Sequence, residues 1–332
     1  MNPAYIFTDS TFNKPYGTNV LYMGCRTKVQ ANRHGEEVCE GRGNLAFTTL
    51  NLPRIAMTRG DFWHNLESKL QLAEAQLMYR WNVQKQLYVK DIPFIFGQGI
   101  YMGSENLGPF DKIESAAKNG TLTIGFIGLA EALTALAGDH HGESNEAQTL
   151  GIEIVEFMRD FCDAASERNN MNFSLLQTPA EGLAGRFTKL DKEKFGVIPG
   201  ITDKNYYTNS SHIPVSFDIP IFRKIELEAP YHKLTNAGHI GYVELPAPPV
   251  SNVEGMYQIL LKARQEDMGY FGFNFPIDIC SACGFRGIVE SKCDRCGSSD
   301  IRKVRRVSGY FSTEERFNDG KLAELRDRKS HR

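Results

Sequence analysis

The sequence predicts an α/β fold followed by a small cysteine module. Three observations predict it. Strand-like stretches alternate with amphipathic helical stretches through Phe273. Proline and glycine punctuate the changes from one to the other. Beyond Phe273 the alternation gives way to four cysteines in two close pairs. The 332 residues suffice for one large domain or two ordinary ones, and 41% hydrophobic content permits a sizeable core. The net charge of -2 carries no overall basic excess of the kind a polyanion partner selects.

Residues 1–60 read as strands and loops. Within them Leu45 to Leu52 is an expected strand, stopped by Pro53. Asp61 is placed to cap a helix from Phe62 to about Tyr88, whose Leu66, Leu70, Leu72, Ala73, Leu77 and Trp81 fall near helical spacing and are expected to pack a core. Thr121 to Leu133 reads as a buried strand, a glycine turn and a helix start. Glu146 to about Arg168 reads as a long amphipathic helix, and Asn172 to Gln177 as a short strand. Thr178 to Ala184 is expected to open another helix, with Pro179 where proline is tolerated. Ser251 or Asn252 caps a helix reaching about Gln265, and Cys280 begins a compact module. Asp319 to Arg332 reads as a charged helix with no hydrophobic face wide enough for a core of its own. Neither an internal repeat nor a low-complexity tract appears.

Seven cysteines are present, an odd number, and Met1-Asn2-Pro3-Ala4 opens no signal peptide. That combination argues against a disulfide framework and for a reducing cytoplasm. The longest apolar candidate for a membrane span, Thr121 to Ala137, is broken by Gly125, Gly128 and Glu131.

Cys280-Ser281-Ala282-Cys283 and Cys293-Asp294-Arg295-Cys296 are CxxC pairs separated by nine residues, each followed by glycine, Gly284 and Gly297. Two-residue spacing lets both thiolates of a pair reach one ion, and glycine permits the tight turn. Four thiolates with no open position suit tetrahedral structural zinc. An iron–sulfur cluster and a redox disulfide pair are the competing readings. The module has two possible roles. It is a nucleic-acid-binding ribbon charged by Arg302, Lys303, Arg305 and Arg306, or a clip for the loop that follows.

That loop contains Arg305-Arg306-Val307-Ser308-Gly309-Tyr310-Phe311, with Gly309 thirteen residues after Cys296. A glycine Cα can approach another group closely. Loss of one Cα hydrogen leaves a planar radical delocalised into both flanking amides. The run resembles the loop of the glycyl-radical enzymes; the plain alternative is a glycine turn before a tail. A stored radical needs an acceptor that works on substrate, and a thiol serves. Cys25, in Leu21-Tyr22-Met23-Gly24-Cys25-Arg26-Thr27, is the candidate, against a small core cysteine.

Over essentially its whole length the chain resembles the anaerobic (class III) ribonucleoside-triphosphate reductases. The matching segments are Met23 to Arg26, Gly43-Asn44, Leu50 to Ile55, Ile124 to Leu129 and Leu176 to Gly182. They continue through Thr202 to Ser210, Gly238-His239-Ile240, the four cysteines and Arg306 to Tyr310. The resemblance implies part of a ten-stranded α/β barrel of the glycyl-radical enzyme type, with Cys25 and Gly309 on two loops meeting inside, then a small zinc ribbon and the glycyl-radical loop. It implies residues 1–276 as barrel, 277–303 as ribbon and 304–332 as radical loop and tail. The radical at Gly309 would pass to Cys25, which would take the 3′-hydrogen of a ribonucleoside triphosphate. The 2′-hydroxyl would leave as water, with formate or a thiol as reductant.

Asn44 is matched to the asparagine that binds the substrate ribose, with Asn51 as second choice; an ordinary turn residue is the plain reading of Asn44. Glu181 is a polar active-site candidate, or a carboxylate complementing a helix N-terminus, where the Thr178 to Leu183 amides could also face a phosphate. The partner implied for activation is a separate enzyme using S-adenosylmethionine and an iron–sulfur cluster. Family members are longer. The portion without counterpart here is N-terminal: the ATP cone, the nucleotide specificity site, the first part of the barrel and a second active-site cysteine, a role assigned to neither Cys39 nor Cys162. The chain is thus expected to be a C-terminal half that pairs with an N-terminal half, as a homodimer when assembled. Two other functions compete. A formate acetyltransferase-type enzyme would carry adjacent active-site cysteines, whereas Gly24 and Arg26 flank Cys25. A non-catalytic zinc-ribbon nucleic-acid-binding protein leaves the first 270 residues without a role and draws little from the net charge.

Overall fold

Strand and helix alternate in the order the sequence predicts, and that order lays down an arc of parallel strands. The computed structural model describes residues 4–307 and 309–331; Met1 to Pro3, Arg332 and Ser308 of the glycine-loop run lie outside the described residues. Strand β1 is Ala4–Ile6, and the two-residue strands β2 (Tyr22–Met23) and β3 (Thr27–Lys28) form a hairpin. Strand β4 (Asn44–Asn51) runs into helix α1 (Leu52–Met57), and α2 (Phe62–Gln84) follows. Single-turn helices α3 (Pro93–Phe96) and α4 (Glu114–Ala117) precede β5 (Thr121–Ile127). Then come α5 (Leu129–Ala137), α6 (Asn145–Asn169) and β6 (Asn172–Gln177). Helices α7 (Leu183–Phe195), α8 (Ile221–Glu228) and α9 (Pro230–Leu234) lead to β7 (Gly241–Glu244), α10 (Val253–Gln265) and β8 (Tyr270–Asn274). The cysteine module carries β9 (Ile277–Cys280) and β10 (Arg286–Gly287). Strands β11 (Ile301–Arg306) and β12 (Phe311–Thr313) flank the Gly309 loop, and α11 (Asp319–Asp327) follows.

Strands β4, β5 and β6 pair in parallel. Leu176 bridges Gly238 in parallel, just before β7, and β7 pairs in parallel with β8. Five parallel segments therefore follow one another, and β1 adds antiparallel to β8. Among the described residues the arc does not close into a barrel. Enclosing even a side-chain-filled interior takes about eight strands. The outer edge of β4 has no strand partner among the described residues. Its Leu45 and Phe47 carbonyls instead accept from Gln84 and Arg80 of α2, at 3.0 and 2.9 Å.

Alternation along β5 separates two faces. Leu122, Ile124 and Phe126 enter the main core with Leu66, Leu70, Leu77 and Trp81 of α2 and Ile154, Met158 and Cys162 of α6. On the other face Thr123 meets Ser174 across the β5–β6 pair, at 3.0 Å between hydroxyls. Helices thus cover one face of these strands, and the other face is polar.

The predicted caps are in place: Asp61 accepts from the His64 N–H at 2.8 Å and Asn252 from the Gly255 N–H at 2.9 Å. Four boundaries differ from expectation. Strand β4 ends at Asn51 rather than at Leu52, because the Asn51 side chain caps α1 by accepting from the Arg54 N–H at 3.2 Å, and Pro53 sits in the first turn. Helix α2 stops at Gln84, before Tyr88. Helix α7 begins at Leu183, not near Pro179. The preceding turn spends its backbone elsewhere: the Ala180 N–H donates to Asn209 Oδ1 at 2.7 Å, and the Thr178 carbonyl accepts from Ser210 Oγ at 2.9 Å. Helix α11 ends at Asp327, after which the Lys329 and His331 N–H groups donate to the Val215 and Glu244 carbonyls. Among the described residues no helix is long and apolar enough to cross a membrane.

Candidate functional site

Cys25 sits at the tip of the β2–β3 hairpin, whose register pairs Tyr22 with Lys28 and Met23 with Thr27. The hairpin is anchored at its base, where the Lys28 N–H donates to the Ala237 carbonyl at 2.6 Å. Tyr22 stacks on Tyr270 at 4.5 Å between ring centroids and meets His239 Nε2 at 2.8 Å. Arg26, beside Cys25, is fully buried, with Nη1 3.4 Å from both Ser210 Oγ and His212 Nε2. Burial pulls its guanidinium below the usual arginine range, opposed by Tyr242, Cys25, Glu324 and Glu228. The buried Arg26 thus anchors the hairpin tip beside Cys25.

Gly309 lies in the loop between β11 and β12, which close on the Arg306–Phe311 pair. A Cβ placed on Gly309 would run into the Cys25 Cβ and Sγ and sit 3.1 Å from the Cys25 Cα. The structure therefore brings Gly309 onto Cys25, and only a residue without a side chain fits between them. Arg306 braces the approach. Its Nη2 donates to the Phe273 carbonyl at 2.7 Å, and its guanidinium lies 4.7 Å from the Tyr242 ring centroid and 5.3 Å from that of Phe311.

The other two predicted catalytic residues make contacts of their own. Glu181 pairs with Lys321 of α11, whose ammonium lies 4.7 Å from the Tyr310 ring centroid. Glu181 is thus linked to the residue after Gly309. Its position precedes α7, so it is not within the helix that was expected there. Burial lowers the Lys321 ammonium, while Glu324 and Cys25 act in the opposite direction. Asn44 lies at the start of β4, on the polar face, and donates to Thr121 Oγ1 at 3.1 Å and to Thr123 Oγ1. Asn51 is committed to its cap and to Asp191, reached at 2.8 Å.

Cys280, Cys283, Cys293 and Cys296 converge so that all four sulfurs lie within 4.8 Å of one another. The Cys280–Cys296 and Cys283–Cys293 separations are 3.5 and 3.6 Å. Tetrahedral zinc with Zn–S bonds of about 2.3 Å sets sulfurs about 3.8 Å apart. The set fits one ion. Both knuckles turn through left-handed glycines, Gly284 (φ +72) and Gly297 (φ +73), whose N–H groups return to the Cys280 and Cys293 carbonyls. Of the other cysteines, Cys162 is a core residue whose thiol burial pushes well up, and Cys39 donates to the Asn19 carbonyl at 3.1 Å.

Sequence reasoning missed the ionic cluster behind the loop. Arg328 Nη1 donates to Glu244 at 2.5 Å and to the Arg306 carbonyl at 3.2 Å; its Nη2 donates to Glu324 at 2.6 Å and to the Val307 carbonyl at 2.9 Å. Burial disfavours the Arg328 charge, but Glu244 and Glu324 outweigh it and raise the group above its ordinary range. The signal available was faint: a charged tail whose Lys321, Glu324 and Arg328 recur at helical spacing.

With this geometry in hand, the chain compares clearly with known proteins. Residues 1–331 match the family model described as Anaerobic ribonucleoside-triphosphate reductase. The anaerobic ribonucleoside-triphosphate reductase of Escherichia coli (strain K12) is 39% identical over 328 residues, 93% of this chain and 46% of the relative. That of Enterobacteria phage T4 is 36% identical over 334 residues, 93% of this chain and 52% of the relative. A crystal structure of the anaerobic ribonucleotide reductase from Thermotoga maritima shares the fold, with a TM-score of 0.65 at 19% identity over 90% of this chain and 46% of that one. The chain spans about half the length of the curated relatives it matches.

Proposed function

The chain belongs to the anaerobic ribonucleoside-triphosphate reductase family, and from that premise we propose that it is the radical-bearing part of such a reductase. The observation that carries the reading is the seat of Gly309 against Cys25. In this reading Gly309 stores an unpaired electron at its Cα. The Cys25 thiol gives its hydrogen to that carbon, the S–H bond breaking as the Cα–H bond forms, and the thiyl left on Cys25 takes the 3′-hydrogen of a ribonucleoside triphosphate. The 2′-hydroxyl leaves with a proton as water. Formate, oxidised to carbon dioxide, or a thiol pair, oxidised to a disulfide, supplies the two electrons. Cys25 returns its hydrogen to C3′, and the thiyl is quenched by Gly309.

Asn44 is assigned to the ribose and Glu181 to a polar role at the site. The polar face around Asn44, with Thr121, Thr123 and Ser174, supports the first; the Glu181–Lys321 link to Tyr310 supports the second. Residues 1–276 are read as barrel, 277–303 as a zinc ribbon and 304–332 as radical loop and tail. Zinc held by the four cysteines would stiffen the ribbon and take no part in the reaction. The open arc would be completed into a ten-stranded barrel by an N-terminal half, in a cytoplasmic homodimer. A separate activase with S-adenosylmethionine and an iron–sulfur cluster would make the radical.

The test is electron paramagnetic resonance after anaerobic incubation with a family activase, S-adenosylmethionine and an N-terminal reductase half. Wild type should give a glycyl doublet that Gly309→Ala lacks, and Cys25→Ser should keep the doublet but lose nucleotide reduction. No doublet from wild type with an activase proven on its own substrate would defeat the reading.

A further inference from the structure

We propose that Arg328 is a positioning residue for the Gly309 loop: its guanidinium holds the two carbonyls that lead into the loop and thereby sets the contact with Cys25. This rests on the reading of Gly309 and Cys25 given above. A loop centred on glycine offers no side chain there to be gripped. Its position must come from its backbone and its flanks. On the upstream flank the Arg306 carbonyl accepts from Arg328 Nη1 at 3.2 Å and from Asn274 Nδ2 at 2.8 Å, and the Val307 carbonyl accepts from Arg328 Nη2 at 2.9 Å. Consecutive carbonyls taken by the two arms of one planar fork are fixed in direction as well as distance.

The fork is itself held. Glu244 and Glu324 accept from Nη1 and Nη2 at 2.5 and 2.6 Å, and Glu244 also accepts from Asn274 at 2.8 Å. The Arg328 side chain is only 9% exposed. Two carboxylates around one guanidinium keep it charged there, and a charged donor makes the stronger hydrogen bond. The downstream flank is served by α11, which Arg328 directly follows: Lys321, seven residues before Arg328, lies against the Tyr310 ring and pairs with Glu181. Glu324 also reaches Asn209, 3.5 Å away, whose side chain holds the Ala180 N–H. Helix α11 thus spans from the Ala180 turn to the Gly309 loop, and Arg328, just past its end, touches the backbone leading into that loop.

The test needs neither activase nor substrate. Alkylation of Cys25 by iodoacetamide is followed by peptide mass spectrometry on the reduced, zinc-supplied chain under nitrogen, with core Cys162 as an internal gauge of folding. Arg328→Gln, which removes the charged fork, should speed Cys25 alkylation about ten-fold or more, the effect of losing one charge-assisted hydrogen bond. Arg328→Lys keeps the charge between Glu244 and Glu324 but cannot fork, and should fall between the two. In both, Cys162 should react no faster than in wild type. If Arg328→Gln exposes Cys162, the lysine variant decides: faster Cys25 with protected Cys162 supports the role. Wild-type Cys25 reactivity in either variant with Cys162 protected, or exposure of Cys162 in both, overturns it. Absence of a glycyl radical would defeat the functional reading and leave this result standing.

Discussion

The Gly309–Cys25 contact can be measured as a coupling energy before any radical is made. The perturbation is a double-mutant cycle of Gly309→Ala and Cys25→Gly. Any backbone cost of alanine at position 309 is common to both backgrounds and cancels in the cycle. What the alanine meets is Cys25: the new methyl would overlap the Cβ and Sγ and lie 3.1 Å from the Cα, where carbons ordinarily rest about 3.5–4.0 Å apart. One partner must retreat by on the order of 1 Å to restore that spacing. The hairpin resists through buried Arg26 and the 2.6 Å bond from Lys28 to Ala237; the loop resists through Arg328. Overpacking of this kind costs about 1–3 kcal/mol. Cys25→Gly removes both offending side-chain atoms, so the same alanine should cost far less in that background. The interaction term should reach about 1–2 kcal/mol in the direction of relief, and the cycle cancels the effect of replacing glycine on the unfolded chain. Urea unfolding of the four proteins under reducing, oxygen-free conditions supplies the numbers. Additivity to within about 0.5 kcal/mol would refute the contact.

Two further outcomes follow from the structure. Cys293→Ser should abolish the bound zinc equivalent measured by mass spectrometry and speed amide exchange along β9 and β11 ahead of the arc strands; unchanged metal content would refute the four-cysteine site. His141, His232 and His331 are each held down to about 3, chiefly by burial. Below their ordinary value near 6.5 the unfolded chain takes up protons that the folded chain refuses. Stability is therefore complete above about pH 6.5 and lost as pH falls toward 3, at up to about 1.4 kcal/mol per pH unit for each histidine. Urea midpoints that stay flat from pH 7 to pH 5 would contradict this.

The sequence was most informative where one residue type has one use. Helix α2 was legible because Leu66, Leu70, Ala73, Leu77 and Trp81 at helical spacing do face a core, whereas Leu72, expected with them, is 63% exposed. The cysteine cluster was legible because its two CxxC pairs suit one ion. Legibility failed where local preference lost to distant partners. Pro179 is well suited to a first helical turn, yet Asn209 and Ser210, about thirty residues on, claim the backbone of its turn. Pro53 and Asn51 illustrate the same conflict at a shorter range: the strand expected to run up to Pro53 gives way at Asn51, whose side chain caps the helix in which the proline sits. The cluster of Arg328, Glu244 and Glu324 was invisible because charged residues are ordinarily read as solvated, and only the fold shows that these close on one another.

The cysteine cluster and Arg328 constrain the Gly309 loop in different directions. Cys280 pairs with Ile301 in the β9–β11 ladder, which continues through Arg302, Lys303 and Val304 opposite Ile279, Asp278 and Ile277. A slip of one residue in such a ladder turns every side chain to the other face. Arg306 would then leave the Tyr242 ring and the Phe273 carbonyl, and the glycine would move along the strand by about 3.3 Å. An ion joining the knuckle at Cys280 to the one at Cys293 and Cys296, shortly before β11, opposes that slip. It fixes position along the strand but does little against a tilt of the loop away from Cys25. Arg328 opposes the tilt, because its fork acts across the strand on the last two carbonyls before the loop. The two restraints should therefore fail differently. Loss of the ion should loosen β11 throughout, whereas loss of the fork should expose Cys25 while leaving the β9–β11 ladder protected.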